Sequence, residues 1–282
     1  MKNILVATDF SDNSYCALFF VTKLLATKPC TFYILNTYSE LSMLQGKSLP
    51  PLGGKKYIQQ LERDSNEQLT HIKHKIVLDN DNPRHRFEVI SKKGDLAKII
   101  VEKIDILQID LVTMGNKGLT EAADIFFGSN TIKVADTITQ CPVLAIPGEL
   151  DFKPIKEIAY VTDFKKNCNQ NTLAPLLYLA TLCNAAIRVM HINEKEILNE
   201  TQEFNRKKIE GLLQNVEHSF HWMQNFDDKA KVIDIFLEKF RVDMYTMVNQ
   251  KRGIIKKLIK EPIIKDISMY SHIPFLILPP RD

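Results

Sequence analysis

The chain of 282 residues lacks any apolar run near the roughly 18 residues that cross a bilayer, so no membrane-spanning helix is expected. Its start, Met1-Lys2-Asn3-Ile4-Leu5-Val6-Ala7-Thr8, meets Asp9 too early for the apolar core of a secretory leader. Cysteine is sparse and scattered. Cys16, Cys30, Cys141, Cys168 and Cys183 form an odd set with no C-x-x-C pair, which argues against a disulfide framework or a zinc site. A reduced, cytoplasmic setting follows. An excess of one charge is missing too: the net charge is +3, with 17 basic against 17 acidic residues in 1–150 and 20 against 17 in the remainder. A general nucleic-acid binder would carry a much stronger basic surplus, so no nucleic-acid partner is expected. No G-x-G-x-x-G, Walker A, G-x-S-x-G or kinase-type set appears, which weighs against a chemistry-performing enzyme. What remains is 45% hydrophobic and 25% charged, the balance of a soluble globular protein of one large or two ordinary domains.

Internal repetition decides for two. Ile4-Leu-Val-Ala-Thr-Asp-Phe10 returns as Ile158-Ala-Tyr-Val-Thr-Asp-Phe164, and Phe32–Thr37 is echoed by Ile187–Ile192. Ile109–Met114 is echoed by Val242–Met247, and Cys141–Pro147 by Ile273–Pro279. Four matches in one order mean two copies of one unit, residues 1–148 and 154–282. In the first copy, strand-like runs fall near 3–8, 31–37, 86–91, 110–114 and 142–146. Between them, Ala17, Phe20, Val21, Leu24 and Leu25 show one-sided helical spacing, as do Leu96, Ile99, Ile100 and Ile104, while Tyr57 to Ile72 suggests a longer helix. Strands alternating with helices make a doubly wound, parallel five-stranded α/β sheet, so the chain is expected to hold two in tandem. The last strands, Pro142 to Ile146 and Pro274 to Leu278, are short and apolar; left bare they would be aggregation-prone edges, so they are expected to pair with each other in an intramolecular pseudo-dimer.

One segment carries the chemistry. Residues 114–130 hold Gly115, Gly118 and Gly128 in the spacing G-x2-G-x9-G, followed by Ser129 and Asn130. The first glycine ends an apolar strand and the last opens a helical pattern through Ile132, Ala135 and Ile138. Glycine lets backbone N–H groups approach an anion, and a helix start offers unpaired donors and a positive dipole end, so the segment suits a phosphate. Ser129 is placed to cap that helix or to bond the ligand. In doubly wound sheets ligands sit beyond the carboxyl ends of the strands where the strand order reverses, which would bring Asp9 beside the glycine loop. A carboxylate there accepts from ribose hydroxyls or, alternatively, caps the helix after it together with Ser11.

Val6-Ala7-Thr8-Asp9-Phe10-Ser11, the glycine spacing, and Cys141-Pro142-Val143-Leu144 together resemble a universal stress protein domain, and the resemblance extends over both halves. It implies a Rossmann-like fold of the adenine nucleotide alpha hydrolase type. The glycine motif is similar to that of the ATP-binding branch, which implies an adenine nucleotide in the first half: ATP first, ADP or AMP otherwise, with Mg2+ as companion ion. Carried over, Thr8 and Asp9 would meet the ribose, and the chain at Asn36 and Thr37 would read the adenine edge. Met114, Gly115, Asn116, Lys117, Gly118, Gly128, Ser129 and Asn130 would hold the phosphates. The family usually has His-Val where this chain has Asn36-Thr37. The S-G-G-x-D-S-like loop of related adenylating enzymes is missing after the first strand.

The second copy departs from this pattern. Val248 and Lys251 stand where Gly115 and Gly118 stand, and Lys260-Glu261-Pro262 lies near the Gly128 position. Nucleotide binding is expected only in the first copy, although Lys251, Arg252, Lys256 and Lys257 offer side-chain cations to some anion. His71-x2-His74 with His85, and His218 with His221, lack a third ligand at fixed spacing and read as solvated faces. Arg252 to Lys265 interleaves isoleucines with lysines and reads as a core-packed helix under a solvated basic face, over a membrane-lying one. The expected role is a stress-response binding protein, monomeric or homodimeric, with a protein partner yet to be identified. The alternatives are a nucleotide-independent scaffold, docking through the loop from Tyr38 to Lys56, or a slow ATPase.

Overall fold

Every strand-like run read from the sequence of the first copy forms a strand. The computed structural model describes residues 1–39, 54–117, 128–148, 150–193, 197–224, 229–249 and 272–280. Most of the Tyr38–Lys56 loop, Gly118 and the Arg252–Lys265 segment lie outside them. The first half runs β1 (Asn3–Ala7), α1 (Asp12–Leu24), β2 (Cys30–Tyr38), α2 (Gly54–Asn80), β3 (His85–Lys93), α3 (Leu96–Leu107), β4 (Leu111–Gly115), α4 (Ser129–Thr137) and β5 (Val143–Ile146). The second runs β6 (Glu157–Thr162), α5 (Gln170–Cys183), β7 (Ala186–Asn193), α6 (Glu200–Leu213), β8 (His218–Gln224), α7 (Lys229–Lys239), β9 (Met244–Val248) and β10 (Phe275–Leu278).

All ten strands form one sheet in the order β3-β2-β1-β4-β5-β10-β9-β6-β7-β8. Within each half the neighbours are parallel, as crossover helices require. The copies match residue for residue: Ile4 lies opposite Phe32 and Leu111, while Ile158 lies opposite Ile187 and Met244. Both faces of the sheet are covered, which is why its strands read as continuous apolar runs. Ile4 and Val6 enter one core with α1, α2, α5 and α6, while Leu5 and Ala7 enter the other with α3, α4 and α7.

The halves join at β5 and β10, the one antiparallel pair among the described residues. Phe275, Leu276 and Ile277 face Ala145, Leu144 and Val143, all buried. The Phe275 ring stacks on Tyr245 at 4.3 Å with 7° between planes. Phe152, in the chain joining the halves, meets Phe20 of α1 edge-on at 5.3 Å. Cys16 donates its thiol toward the carbonyls of Pro147 and Leu150. Phe275→Ala, a cavity at this junction, is expected to cost about 3–5 kcal/mol of stability in urea unfolding. A loss near zero would place the junction outside the cooperative core.

His85 is buried rather than solvated. Its Nε2 lies 3.2 Å from the Leu25 carbonyl, to which it donates, and its Nδ1 accepts from Asn80 Nδ2 at 2.9 Å. Desolvation lowers its pKa below the ordinary 6.5, outweighing backbone hydrogen bonds that favour the cation; Arg84 and Lys23 lower it further. The unfolded chain therefore takes up this proton more readily than the folded one. The contribution is complete above the unfolded value and is lost as pH falls from 6.5 toward the lower folded value. Urea midpoints are expected to drop across this window, and less steeply in His85→Gln; equal slopes would assign the loss to other groups.

Candidate functional site

β1 ends at Ala7 and the chain turns at once. Thr8 Oγ1 accepts from the Phe10 amide at 3.0 Å and shares a 2.8 Å hydrogen bond with Ser14, so Phe10 is held in the left-handed region at φ 68°. Left-handed backbone is costly for a side-chain-bearing residue and persists only where its surroundings fix it. The Asp9 carboxylate accepts from the Ser11 amide at 3.1 Å and the Ser11 hydroxyl at 2.5 Å. Ser11, in turn, accepts from the Ser14 amide as the N-cap of α1. Of the two readings of Asp9, the cap is thus Ser11. Asp9 braces that cap and lies on the wall of a cleft.

The cleft has a volume of about 400 Å³ and opens at the carboxyl ends of β1, β2 and β4. β1 pairs with β2 on one side and β4 on the other, so this is where the strand order reverses. Thr8, Asp9, Asn36, Thr37, Met114, Gly115, Lys117, Gly128 and Asn130 all line it. Asn116 is buried, outside the cleft lining, and works through its main chain: its amide donates to Ile146 and its carbonyl accepts from Gly128 at 2.7 Å, closing the glycine loop. Ser129 is exposed in the first turn of α4, also off the wall.

Two of these residues do something the sequence does not reveal. Asn36 Nδ2 donates to the Thr8 carbonyl at 2.8 Å, and its Oδ1 accepts from Ser65 at 2.9 Å; Ser65 in turn accepts from Ser91. Its side chain is committed to joining β1, β2, β3 and α2. At Gly115, a Cβ would lie 3.2 Å from the backbone of Asn13, so glycine there serves the close approach of α1. Gly128 is the N-cap residue of α4 and has no side chain to cap it. Thr131 does not supply the cap either, since its hydroxyl donates to the Gly115 carbonyl at 3.0 Å. The N-terminus of α4 lies beside the cleft, and its N-cap residue offers the first turn no side chain.

Ser14, Ser39, Gly94, Asp95, Leu96 and Thr131 complete the wall, and sequence reasoning misses them. For Gly94-Asp95 a signal exists. Gly94 turns the chain out of β3 at φ 144°, and Asp95 caps α3 by accepting from the Lys98 amide. Asp95 also pairs with Lys133 of α4, and that hydrogen bond holds its carboxyl below the usual carboxylate range. The cleft therefore combines two braced carboxylates, a lysine and a helix start. That set can hold a ligand with hydroxyls at one end and negative charge at the other.

The second half keeps the frame with different side chains on it. Phe164 repeats the turn at φ 54°, its amide bonded to Thr162 Oγ1 at 3.2 Å. His191 stands at the Asn36 position and meets the Thr162 carbonyl at 3.0 Å. The Phe164 ring is fully buried and stacks on His191 at 4.8 Å, with Trp222 6.0 Å away. Gln202 of α6 donates to the Asp163 carbonyl, bringing a helix start over the strand end. Val248 occupies the Gly115 position. His218 and His221 are structural: His218 Nδ1 donates to the Val216 carbonyl, and His221 packs on Phe240. Among the described residues no three His, Cys, Asp or Glu side chains gather to hold a metal, and no helix is long and apolar enough to cross a membrane.

A search of curated proteins returns no match. The whole chain is similar in fold to a universal stress protein from Archaeoglobus fulgidus DSM 4304, at 16% identity and a TM-score of 0.71, covering 98% of this chain and 97% of that one. It is also similar to a protein of unknown function from Pseudomonas aeruginosa PAO1, at 13% identity and a TM-score of 0.57, covering 99% and 93%. A third likeness is the cytoplasmic domain of a prokaryotic cation chloride cotransporter, at 8% identity and a TM-score of 0.53, covering 99% and 95%. The sequence model of the universal stress protein family matches residues 1–147, and on that match the chain belongs to the universal stress protein family.

Proposed function

We propose that the first half binds an adenine nucleotide, ATP foremost, in the cleft at the strand-order reversal, and that the chain acts as a cytoplasmic stress-response binding protein. The observation that carries this reading is the α4 N-terminus, whose N-cap residue is a glycine and which shares one cleft with Asp9. Amides at a helix start suit phosphate oxygens, and a carboxylate braced by Ser11 suits ribose hydroxyls. With the Asn36 amide already committed, the base would be read by backbone near Thr37 and Ser39. Mg2+ would travel on the phosphates rather than in a protein cage, as that ion often does. Residues 1–148 form the binding unit in this proposal. Residues 154–282 are its structural partner, because Val248 stands at the Gly115 position and the buried Phe164–His191 stack at the positions of Phe10 and Asn36.

Titration calorimetry of the full chain with ATP and magnesium is expected to give one nucleotide per chain. If ATP, ADP and AMP all fail to bind at millimolar concentration the proposal falls, and a stoichiometry near two would refute the inactive second copy.

Gly128→Val is expected to remove nucleotide binding while the fold survives. Gly128 sits at φ −65° and ψ 153°, a conformation open to any residue, so the backbone tolerates the change. The added methyls stand at the helix start where a phosphate oxygen would approach. Wild-type affinity in a folded Gly128→Val chain would move the phosphate site elsewhere.

A further inference from the structure

α4 is short, nine residues, and its two ends meet different halves of the molecule. Its first turn lies on the cleft through Gly128, Asn130 and Thr131. Its last turn carries carbonyls that have no partner within the helix. One of these, the Ala135 carbonyl, accepts from the side-chain amide of Asn249, which follows β9 in the second half. Asn249 is 5% exposed, and its own amide is fixed to the Leu278 carbonyl at 2.8 Å. The donor is therefore buried and anchored to the far side of the β5–β10 junction. Asn116 holds the equivalent position in the first half, with its amide on Ile146 at 2.8 Å, but its Oδ1 has no partner.

We infer that Asn249 is a positioning residue for the proposed phosphate site: it holds α4 from its carboxyl end, so that nucleotide occupancy in the first half and the packing of the second half are coupled. This rests on the nucleotide reading above. Ala135 lies six residues beyond Ser129, about 9 Å along the helix axis, so one rigid element links the hydrogen bond to the amides at the cleft. Thr131 and Lys133 hold α4 to β4 and α3 within the first half, and Asn249 supplies the hold from the second. Loss of the Asn249 amide leaves a buried carbonyl unsatisfied and frees the last turn to shift. The helix then tilts relative to Gly115, and the amides at its start lose their aim. By linkage the effect is reciprocal: a ligand on the first turn steadies the last turn and the strand ends beyond it.

The test compares ATP with adenosine on the full chain by calorimetry. Adenosine has the base and ribose but no phosphates, so a helix that aims at phosphates leaves its affinity alone. Asn249→Ala is expected to weaken ATP about tenfold and adenosine less than twofold, with Asn249→Gln recovering part of the loss. Equal weakening of both ligands would show general destabilisation and overturn the assignment, as would unchanged ATP affinity in a folded Asn249→Ala chain. Hydrogen exchange on the unmodified chain needs no variant: ATP is expected to slow exchange in β9 and β10 as well as α4. Protection confined to the first half would overturn the coupling. Absence of ATP binding by the unmodified chain would sink the nucleotide reading itself, whereas binding indifferent to Asn249 would sink the coupling alone.

Discussion

The antiparallel pairing of β5 with β10 is the constraint on which the rest depends. Each is a four-residue strand, fully apolar, that would otherwise end its half-sheet with unpaired backbone groups. Pairing them makes a ten-stranded sheet whose edge strands are β3 and β8. Both hydrophobic cores run across the seam: Leu144 and Ile146 share one with Leu276 and Leu278, and Val143 and Ala145 share the other with Phe275 and Ile277. The second copy cannot drift far in sequence at this seam without undoing the first. Its strand ends, away from the seam, are freer to change.

That freedom shows in how differently the two copies use one frame. Thr8-Asp9-Phe10 and Thr162-Asp163-Phe164 make the same left-handed turn with the same amide-to-threonine hydrogen bond. Asn36 and His191 meet the same carbonyl although they differ in size and chemistry. The frame is thus set by backbone geometry and one side-chain bond to the threonine carbonyl, which either residue type can provide. The ligand space rests on less. Phe10 stays partly exposed, whereas Phe164 turns fully inward against an aromatic partner. Val248 puts a branched side chain at the position of Gly115, where the backbone of Asn13 in the first half comes within 3.2 Å of the place a Cβ would take. The side chains at the strand ends thus differ between the copies while the strands keep equivalent registers.

Much of this fold is legible in the sequence because burial on both faces leaves continuous apolar runs, and because duplication writes each run twice. The four repeated segments occupy equivalent registers, so the repeat alone aligns β1 with β6 and β4 with β9. The place of the cleft is legible from Gly115, Gly128 and Asp9, since strand-end residues converge where the order reverses. The remaining wall is not. Ser39, Leu96 and Thr131 arrive through tertiary placement and carry no local motif. Gly94-Asp95 has a turn-and-cap signature, but nothing local says that α3 begins beside α4. Nor does sequence distinguish a glycine that receives a ligand from one that receives a helix, which is what Asn13 makes of Gly115. Nor does sequence show that the Asn36 side-chain amide is taken up by the Thr8 carbonyl at the end of the neighbouring strand.

The shortest described helix stands where binding is proposed. A nine-residue helix is shorter than the roughly 12–15 residues that sustain a helix in water unaided, so α4 exists because tertiary contacts hold it. Val134 and Ala135 are buried in the core, Thr131 bonds β4, Lys133 pairs with α3, and Asn249 bonds the last turn. A side-chain cap at Gly128 would stabilise the helix by about 0.5–2 kcal/mol, yet the position holds a residue that cannot provide one. An anion at that point would serve the same amides that a cap serves, with the dipole adding to the attraction. Under the proposed binding, an anion there would add to the stability of a helix whose N-cap residue provides none. A helix in that condition, pinned at its far end by the other copy, is well placed to carry occupancy in one half to the packing of the next.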